Sequence, residues 1–132
     1  MRAPLGAARK MRWLLALTYL LAVALLIQGV LGGFMLDGAG WAGTWHGRIG
    51  EALPVIALVQ TVLAFLSVRA DAPAWLLGAA GGLLLTTLGL VLLGMFGPMA
   101  LHVPLSFVSF ALAVVLIGGL RRGRLKLSPD GL

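Results

Sequence analysis

The residues of this sequence best suited to chemistry are its two histidines, His46 and His102. Imidazole is a standard axial ligand of haem iron and a common ligand of other metals. Each histidine lies where an apolar segment begins, and we expect both in the first turn of a helix. Two imidazoles at one depth on facing helices have the arrangement of bis-histidine haem b ligation. The alternative is that each is an ordinary polar residue at a membrane interface.

Small residues follow each histidine one helical turn later, at Gly50 and Ser106. Residues four apart share a helix face, so a broad, flat macrocycle could lie against both helices there. We therefore predict that Gly50 and Ser106 bind the cofactor, with His46 and His102 as its axial ligands. A zinc or non-haem iron site is disfavoured, because no carboxylate or thiolate converges with the two imidazoles.

Three other polar positions lie near the histidines or deep in the apolar segments. Arg48 is a candidate cofactor-binding residue, since a guanidinium suits the carboxylate of a haem propionate. Its alternative role is an interfacial ion pair with Glu51 at the outer edge of the membrane, which would contribute little. Gln28 and Gln60 could each bridge helices or bond the edge of a cofactor, and we favour bridging.

The composition indicates that these residues belong to a membrane protein. Of 132 residues, 61% are hydrophobic and 11% are charged, against about 25% charged in soluble domains. The net charge of +6 lies at the ends of an apolar body, which excludes a soluble globule and a nucleic-acid-binding domain. The chain has no cysteine, which excludes disulfides, thiolate metal sites and covalent c-type haem attachment.

The charge-free runs predict four membrane-spanning helices, because one crossing takes about 20 apolar residues. The last run is twice as long as one crossing needs, and Gly97-Pro98 divides it. Short connections favour an antiparallel, up-down-up-down bundle in which the second and fourth helices are diagonal. We expect an all-α, integral membrane four-helix bundle, a single domain over residues 1–132 with helices at about 13–36, 46–68, 74–96 and 100–120.

The basic residues predict the orientation. They precede the first helix, separate the second from the third, and follow the fourth: Arg2, Arg9, Lys10, Arg12, Arg69, Arg121, Arg122, Arg124 and Lys126. The positive-inside rule then puts both termini in the cytoplasm, in a multi-pass protein of the inner (plasma) membrane. The histidines would lie near the extracytoplasmic side. Gly78 and Gly82 would allow close packing or dimerisation, or else leave room for a cofactor.

Three stretches resemble the heme A synthase family. Residues 28–40 resemble the end of its first helix and the glycine-rich loop that follows. The segment Trp45-His46-Gly47-Arg48 resembles its second helix, where a histidine is followed closely by a basic residue. Residues 88–97 and 101–105 resemble the end of its third helix and the histidine of its fourth.

Members of that family contain two four-helix halves, each with a histidine pair on its second and fourth helices. This chain resembles one half, and the resemblance implies that His46 and His102 ligate one b-type haem. It does not extend to the family's glutamate just before the helix 2 histidine, because Thr44 and Trp45 stand there and Glu51 follows. Synthase activity is therefore not implied.

The leading hypothesis is a haem b-binding membrane protein in electron transfer, with a quinol or another redox partner. Two filled axial positions argue against catalysis at the iron. The alternative is a structural or assembly subunit of a larger respiratory membrane complex without a cofactor. A small transporter, and an enzyme in which a homodimer rebuilds a two-half synthase, rank below these. Lipid surrounds the chain in every case, and no nucleic acid partner is expected.

Overall fold

A computed structural model describes the backbone of residues 5–127 and the side chains of residues 9–123. Within this range the chain is all-helical, as expected, with no strand. The side chains of Arg2, Arg124 and Lys126 lie outside the described residues. The four helices are α1 (Leu5–Leu36), α2 (Gly40–Val68), α3 (Trp75–Phe96) and α4 (Met99–Leu127).

Each helix contains an apolar stretch long enough to span a membrane. The outer surface of the bundle is also apolar, with large side chains such as Leu85, Phe107 and Val115 well exposed. A soluble bundle would place polar residues on this outer face. The architecture therefore fits a multi-pass membrane protein.

The second helix begins six residues earlier than the expected start at residue 46. The turn before it is a Schellman motif, with Gly38 at a φ of +86°. The amide of Ala39 donates to the carbonyl of Phe34 (3.0 Å), and that of Gly38 to the carbonyl of Met35 (3.1 Å). Because this motif reverses the chain at once, α2 starts at Gly40 and the expected loop over residues 37–45 is mostly helical.

The break at Gly97-Pro98 separates α3 from α4 as expected. Gly97 is extended, and its amide closes α3 by donating to the carbonyl of Leu93 (2.9 Å). The bounds of α3 lie close to those expected. The first helix begins before residue 13 and the fourth continues beyond residue 120, because the flanking Arg and Lys residues are good helix formers.

The helices pack in a ring in which α1 and α3 each contact both α2 and α4. The pair α2 and α4 is diagonal, as expected. The turns α1–α2 and α3–α4 lie at one end, which we call the two-turn end. The opposite end, with the α2–α3 turn and the described Arg and Lys residues other than Arg48, is the basic end.

The core fills the basic end and the middle of the bundle. Small residues such as Ala57, Ala80 and Ala113 are fully buried and let the helix axes approach closely. Gly82 and Gly89 face α4, since a Cβ atom there would lie 3.7 Å from Leu112 and 3.1 Å from Leu105. These two α3 glycines therefore serve helix packing within the bundle.

A buried polar bridge links α1 and α2. The Nε2 atom of Gln60 donates to the hydroxyl of Thr18 (2.7 Å), which in turn donates to the carbonyl of Leu14 (2.7 Å). Gln60 and Thr18 are both 0% exposed. Hydrogen bonds of this kind join helices inside a membrane, so the bridging interpretation of Gln60 is confirmed.

Candidate cofactor site

A cavity of about 420 Å³ lies at the two-turn end and is lined by all four helices. Its volume falls in the range of ligand pockets, about 300–1,000 Å³. Leu25, Leu53 and Leu90 belong to both the core and the cavity wall, and they close it toward the middle of the bundle. Most of the wall is apolar. Its polar side chains are Gln28, His46, Glu51, His102 and Ser106.

The two histidines meet inside this cavity across the bundle axis. Their ring centroids are 6.0 Å apart, and their planes are inclined by 47°. His46 comes from α2 and His102 from α4, the diagonal pair. His46 lies in the second turn of its helix rather than in the first, because α2 starts early. The expected matched depth is nevertheless observed.

Each histidine is accommodated by a glycine on the preceding helix of its own hairpin. A Cβ atom at Gly32 of α1 would lie 3.8 Å from Cε1 of His46. A Cβ atom at Gly94 of α3 would lie 3.3 Å from Cε1 of His102, which is closer than ordinary contact. The two hairpins thus hold their imidazoles in similar ways, and larger residues at these glycines would crowd the rings.

Gln28 of α1 holds His46 by two hydrogen bonds. Its Nε2 atom donates to the carbonyl oxygen of His46 (2.9 Å). Nδ1 of His46 lies 3.2 Å from the carbonyl oxygen of Gln28. A carbonyl only accepts, so Nδ1 carries the proton, and Nε2 of the neutral ring keeps its lone pair. Metal-binding histidines are commonly oriented in this way.

Gly50 takes part in the same contact. A Cβ atom at this position would lie 2.9 Å from Nε2 of Gln28. Its missing side chain therefore makes room for the glutamine, in addition to lining the cavity. The bridging interpretation of Gln28 is confirmed.

Two polar atoms at the cavity are buried without a hydrogen-bond partner among the described residues. They are Nδ1 of His102 and Oε1 of Gln28. Most buried polar atoms are paired, and exceptions often mark a ligand, ion or water site. His102 thus differs from His46 in that its ring is held by packing against Gly94, without a hydrogen bond within the described chain.

The cavity brings together four of the five residues expected at the cofactor, namely His46, His102, Gly50 and Ser106. The hydroxyl of Ser106 donates within its own helix, to the carbonyl of Val103 (2.6 Å). Arg48 is not part of the cavity wall. Its guanidinium lies over the ring of Trp45, with Cζ 5.7 Å from the ring centroid. Among the described residues, this side chain therefore makes a cation–π contact and no ion pair with Glu51.

Two contributors were not predicted as site residues. Gln28 acts on a histidine 18 residues away, and no local pattern could have paired them. Glu51 lines the cavity, although we expected it at the outer edge of the membrane. It lies five positions, about 7.5 Å along the axis, beyond His46.

Among the described residues, no three His, Cys, Asp or Glu side chains come together to hold a metal ion. The cavity therefore offers two imidazoles and no further protein ligand. Two imidazoles suit a metal whose other ligands come from a cofactor, as those of iron come from a porphyrin.

No protein-family model, curated protein or solved structure matches this chain. Its fold nevertheless defines a class of protein: an all-helical bundle with an apolar exterior and a histidine-containing cavity at one end. Bundles of this class commonly hold cofactors between facing helices. The function must therefore be inferred from the residues of the cavity.

Proposed function

We propose that this chain is a haem b-binding membrane protein in which His46 and His102 are the axial ligands of the iron. The observation that carries the proposal is the 6.0 Å separation of the two ring centroids across the bundle axis. Two imidazoles on opposite sides of one metal have ring centres about 6.4 Å apart, from metal–nitrogen distances of about 2.1 Å and about 1.1 Å within each ring. The separation in this chain is close to that value.

The surroundings of the two rings support this assignment. Gln28 fixes the tautomer that leaves Nε2 of His46 available as a ligand. Gly32 and Gly94 leave space beside the rings, and the wall is mainly apolar, as the faces of a macrocycle require. Gly50 and Ser106 lie one turn from the histidines on the same wall.

Bound haem supplies a reversible one-electron change at its iron. If His46 and His102 both ligated the iron, no coordination position would remain for a substrate, which favours electron transfer over catalysis. The mainly apolar wall and the hydrogen bond from the ring of His46 to the carbonyl of Gln28 would both tune the potential at which the iron accepts an electron.

The orientation of the chain determines which partners can reach the site. The described Arg and Lys residues other than Arg48 lie at the basic end, and the positive-inside rule puts that end and both termini in the cytoplasm. The cavity then opens near the extracytoplasmic face of the inner membrane. A quinol in the lipid or a redox protein outside the membrane could exchange electrons there.

The direct test is a reduced-minus-oxidised absorption spectrum of the protein purified in detergent. We expect a b-type band in the wild type and its loss in His46→Ala and in His102→Ala. Arg48→Ala and Leu101→Ala are matched controls, since Arg48 lies over Trp45 and Leu101 is 58% exposed. Both controls should keep the band, with circular dichroism reporting the fold. A wild type without the band, or histidine variants with an unchanged band, would contradict the proposal.

The second candidate is a structural or assembly subunit of a larger respiratory membrane complex. The observation that favours it is the open space beside Gly78 and Gly81 of α3, which lie outside the cavity and where a Cβ atom would meet nothing within 4 Å. Another helix could approach closely at such positions, from a second copy or from a different subunit. Co-purification with a respiratory complex, without any haem band, would favour this function.

A further inference from the structure

Glu51 is an acidic residue inside a membrane-spanning segment. It lies in the span Gly40–Val68, eleven positions and about 16 Å from the start of α2. Its side chain is exposed and forms part of the cavity wall. A carboxylate at this depth is costly, and such residues usually serve a function.

Glu51 has no cationic partner among the described side chains. Arg48 is the nearest basic residue in the sequence, and its guanidinium lies over the ring of Trp45. The other described basic residues lie at the basic end: Arg9, Lys10, Arg12, Arg69, Arg121 and Arg122. No described basic side chain therefore forms an ion pair with Glu51, and Arg48 is the one described basic residue at the same end of the bundle.

Within the cavity, Glu51 faces only two other titratable groups, the imidazoles of His46 and His102. The remaining polar side chains of the wall, Gln28 and Ser106, are neutral. The cavity therefore carries one acidic group, whose negative charge favours a positively charged metal centre. Ferric iron bound by a doubly deprotonated porphyrin and two neutral imidazoles has such a charge at its centre, and ferrous iron does not.

We propose that the Glu51 carboxylate compensates the positive charge of the oxidised iron and so lowers the midpoint potential of the bound haem. This inference rests on the proposed function. Reduction adds one electron to the iron and removes the positive charge that the carboxylate stabilises. For an assumed carboxylate–iron separation of about 10 Å and an effective dielectric constant of about 20, one unit charge changes this equilibrium by roughly an order of magnitude.

The test is a redox titration of the purified holoprotein, followed by its absorption spectrum. We expect the midpoint potential of Glu51→Gln to be ~59 mV higher than that of the wild type. At the wild-type midpoint, this is an about tenfold shift of the ferric-to-ferrous ratio toward ferrous iron. Glu51→Asp keeps the charge and should stay near the wild type. Asp37→Asn is the matched control, because Asp37 is an exposed acid at the same end that does not line the cavity.

A Glu51→Gln midpoint potential equal to that of the wild type would overturn the inference, as would an equal shift in Asp37→Asn.

Glu51→Ala is a second neutral variant and should shift the ferric-to-ferrous ratio in the same direction. Loss of haem from both neutral variants, with haem retained in Glu51→Asp, would also support a requirement for the charge. Loss from all three would show a role of side-chain shape instead. A wild type without haem would refute the proposed function, whereas bound haem with an unchanged midpoint would refute this inference alone.

Discussion

Gly94 offers a graded test of how the histidines are held. A Cβ atom at this position would lie 3.3 Å from Cε1 and 3.6 Å from Nδ1 of His102. Alanine at position 94 must therefore displace the imidazole by a few tenths of an ångström or tilt it from its preferred rotamer. A tilt of this kind costs about 0.5–1.5 kcal/mol, and 1 kcal/mol is about fivefold in affinity. We expect Gly94→Ala to weaken haem binding about fivefold.

Two other glycines provide controls. At Gly32 the added Cβ atom would be at an ordinary distance of 3.8 Å from His46, and at Gly81, which does not line the cavity, it would meet nothing within 4 Å. Gly81→Ala should leave affinity unchanged, and Gly32→Ala should change it less than Gly94→Ala does. All three variants should favour the helix, because alanine is a better helix former by about 1 kcal/mol. A loss of affinity in Gly94→Ala is thus separable from a loss of stability.

The assay is titration of the haem-free protein with haemin in detergent, followed by absorbance, with thermal unfolding measured in parallel. The dissociation constants should increase in the order Gly81→Ala, Gly32→Ala, Gly94→Ala and Gly94→Val. Equal affinity in Gly94→Ala and Gly81→Ala would refute the packing argument. Equal weakening in all three variants would refute it too, because the contact distances differ.

Two further predictions concern stability away from the cavity. Thr18→Val should lower the free energy of unfolding by about 1–3 kcal/mol, because it leaves the buried amide of Gln60 without a partner. Thr18→Ser keeps the hydroxyl and should leave this free energy nearly unchanged. Denaturation in mixed micelles measures both variants. Gly119→Leu should lower the melting temperature, since even a Cβ atom there would overlap the ring of Trp75. Gly123→Leu has open space and should not lower it. A neutral Thr18→Val, or equal melting temperatures for the two leucine variants, would contradict these contacts.

The four helices follow from the sequence because the lipid imposes simple constraints. A charge-free run of about 20 apolar residues is long enough to cross the membrane once. A run of twice that length must turn, as this chain does at Gly97-Pro98. The two histidines could be placed at one depth because each stands beside a turn at the same end of the bundle. Their meeting across the axis then follows from the diagonal relation of α2 and α4.

The start of α2 could not be predicted in the same way. Residues 38–50 contain five glycines, a composition typical of a loop. The Schellman turn at Gly38 reverses the chain within a few residues, so this segment becomes helical. The deeper position of Glu51 is a consequence of that early start.

The contacts of Gln28 and Arg48 depend on tertiary packing. Gln28 meets His46 because α1 and α2 pack side by side, which no spacing along the chain encodes. Two carboxylates were considered for Arg48, those of Glu51 and of a haem propionate, and its guanidinium lies over Trp45, three residues earlier on the same helix. A side chain with several possible partners is assigned to one of them only by the packed structure.

The most direct test of the central claim is imidazole rescue of the two histidine positions. The oxidised wild type should show the low-spin spectrum of iron with two nitrogen ligands, and this spectrum should be lost in His46→Gly and in His102→Gly. Added imidazole should restore it in each variant by occupying the vacated position. A low-spin spectrum that persists in either variant without imidazole, or a wild type that binds no haem, would contradict ligation by His46 and His102.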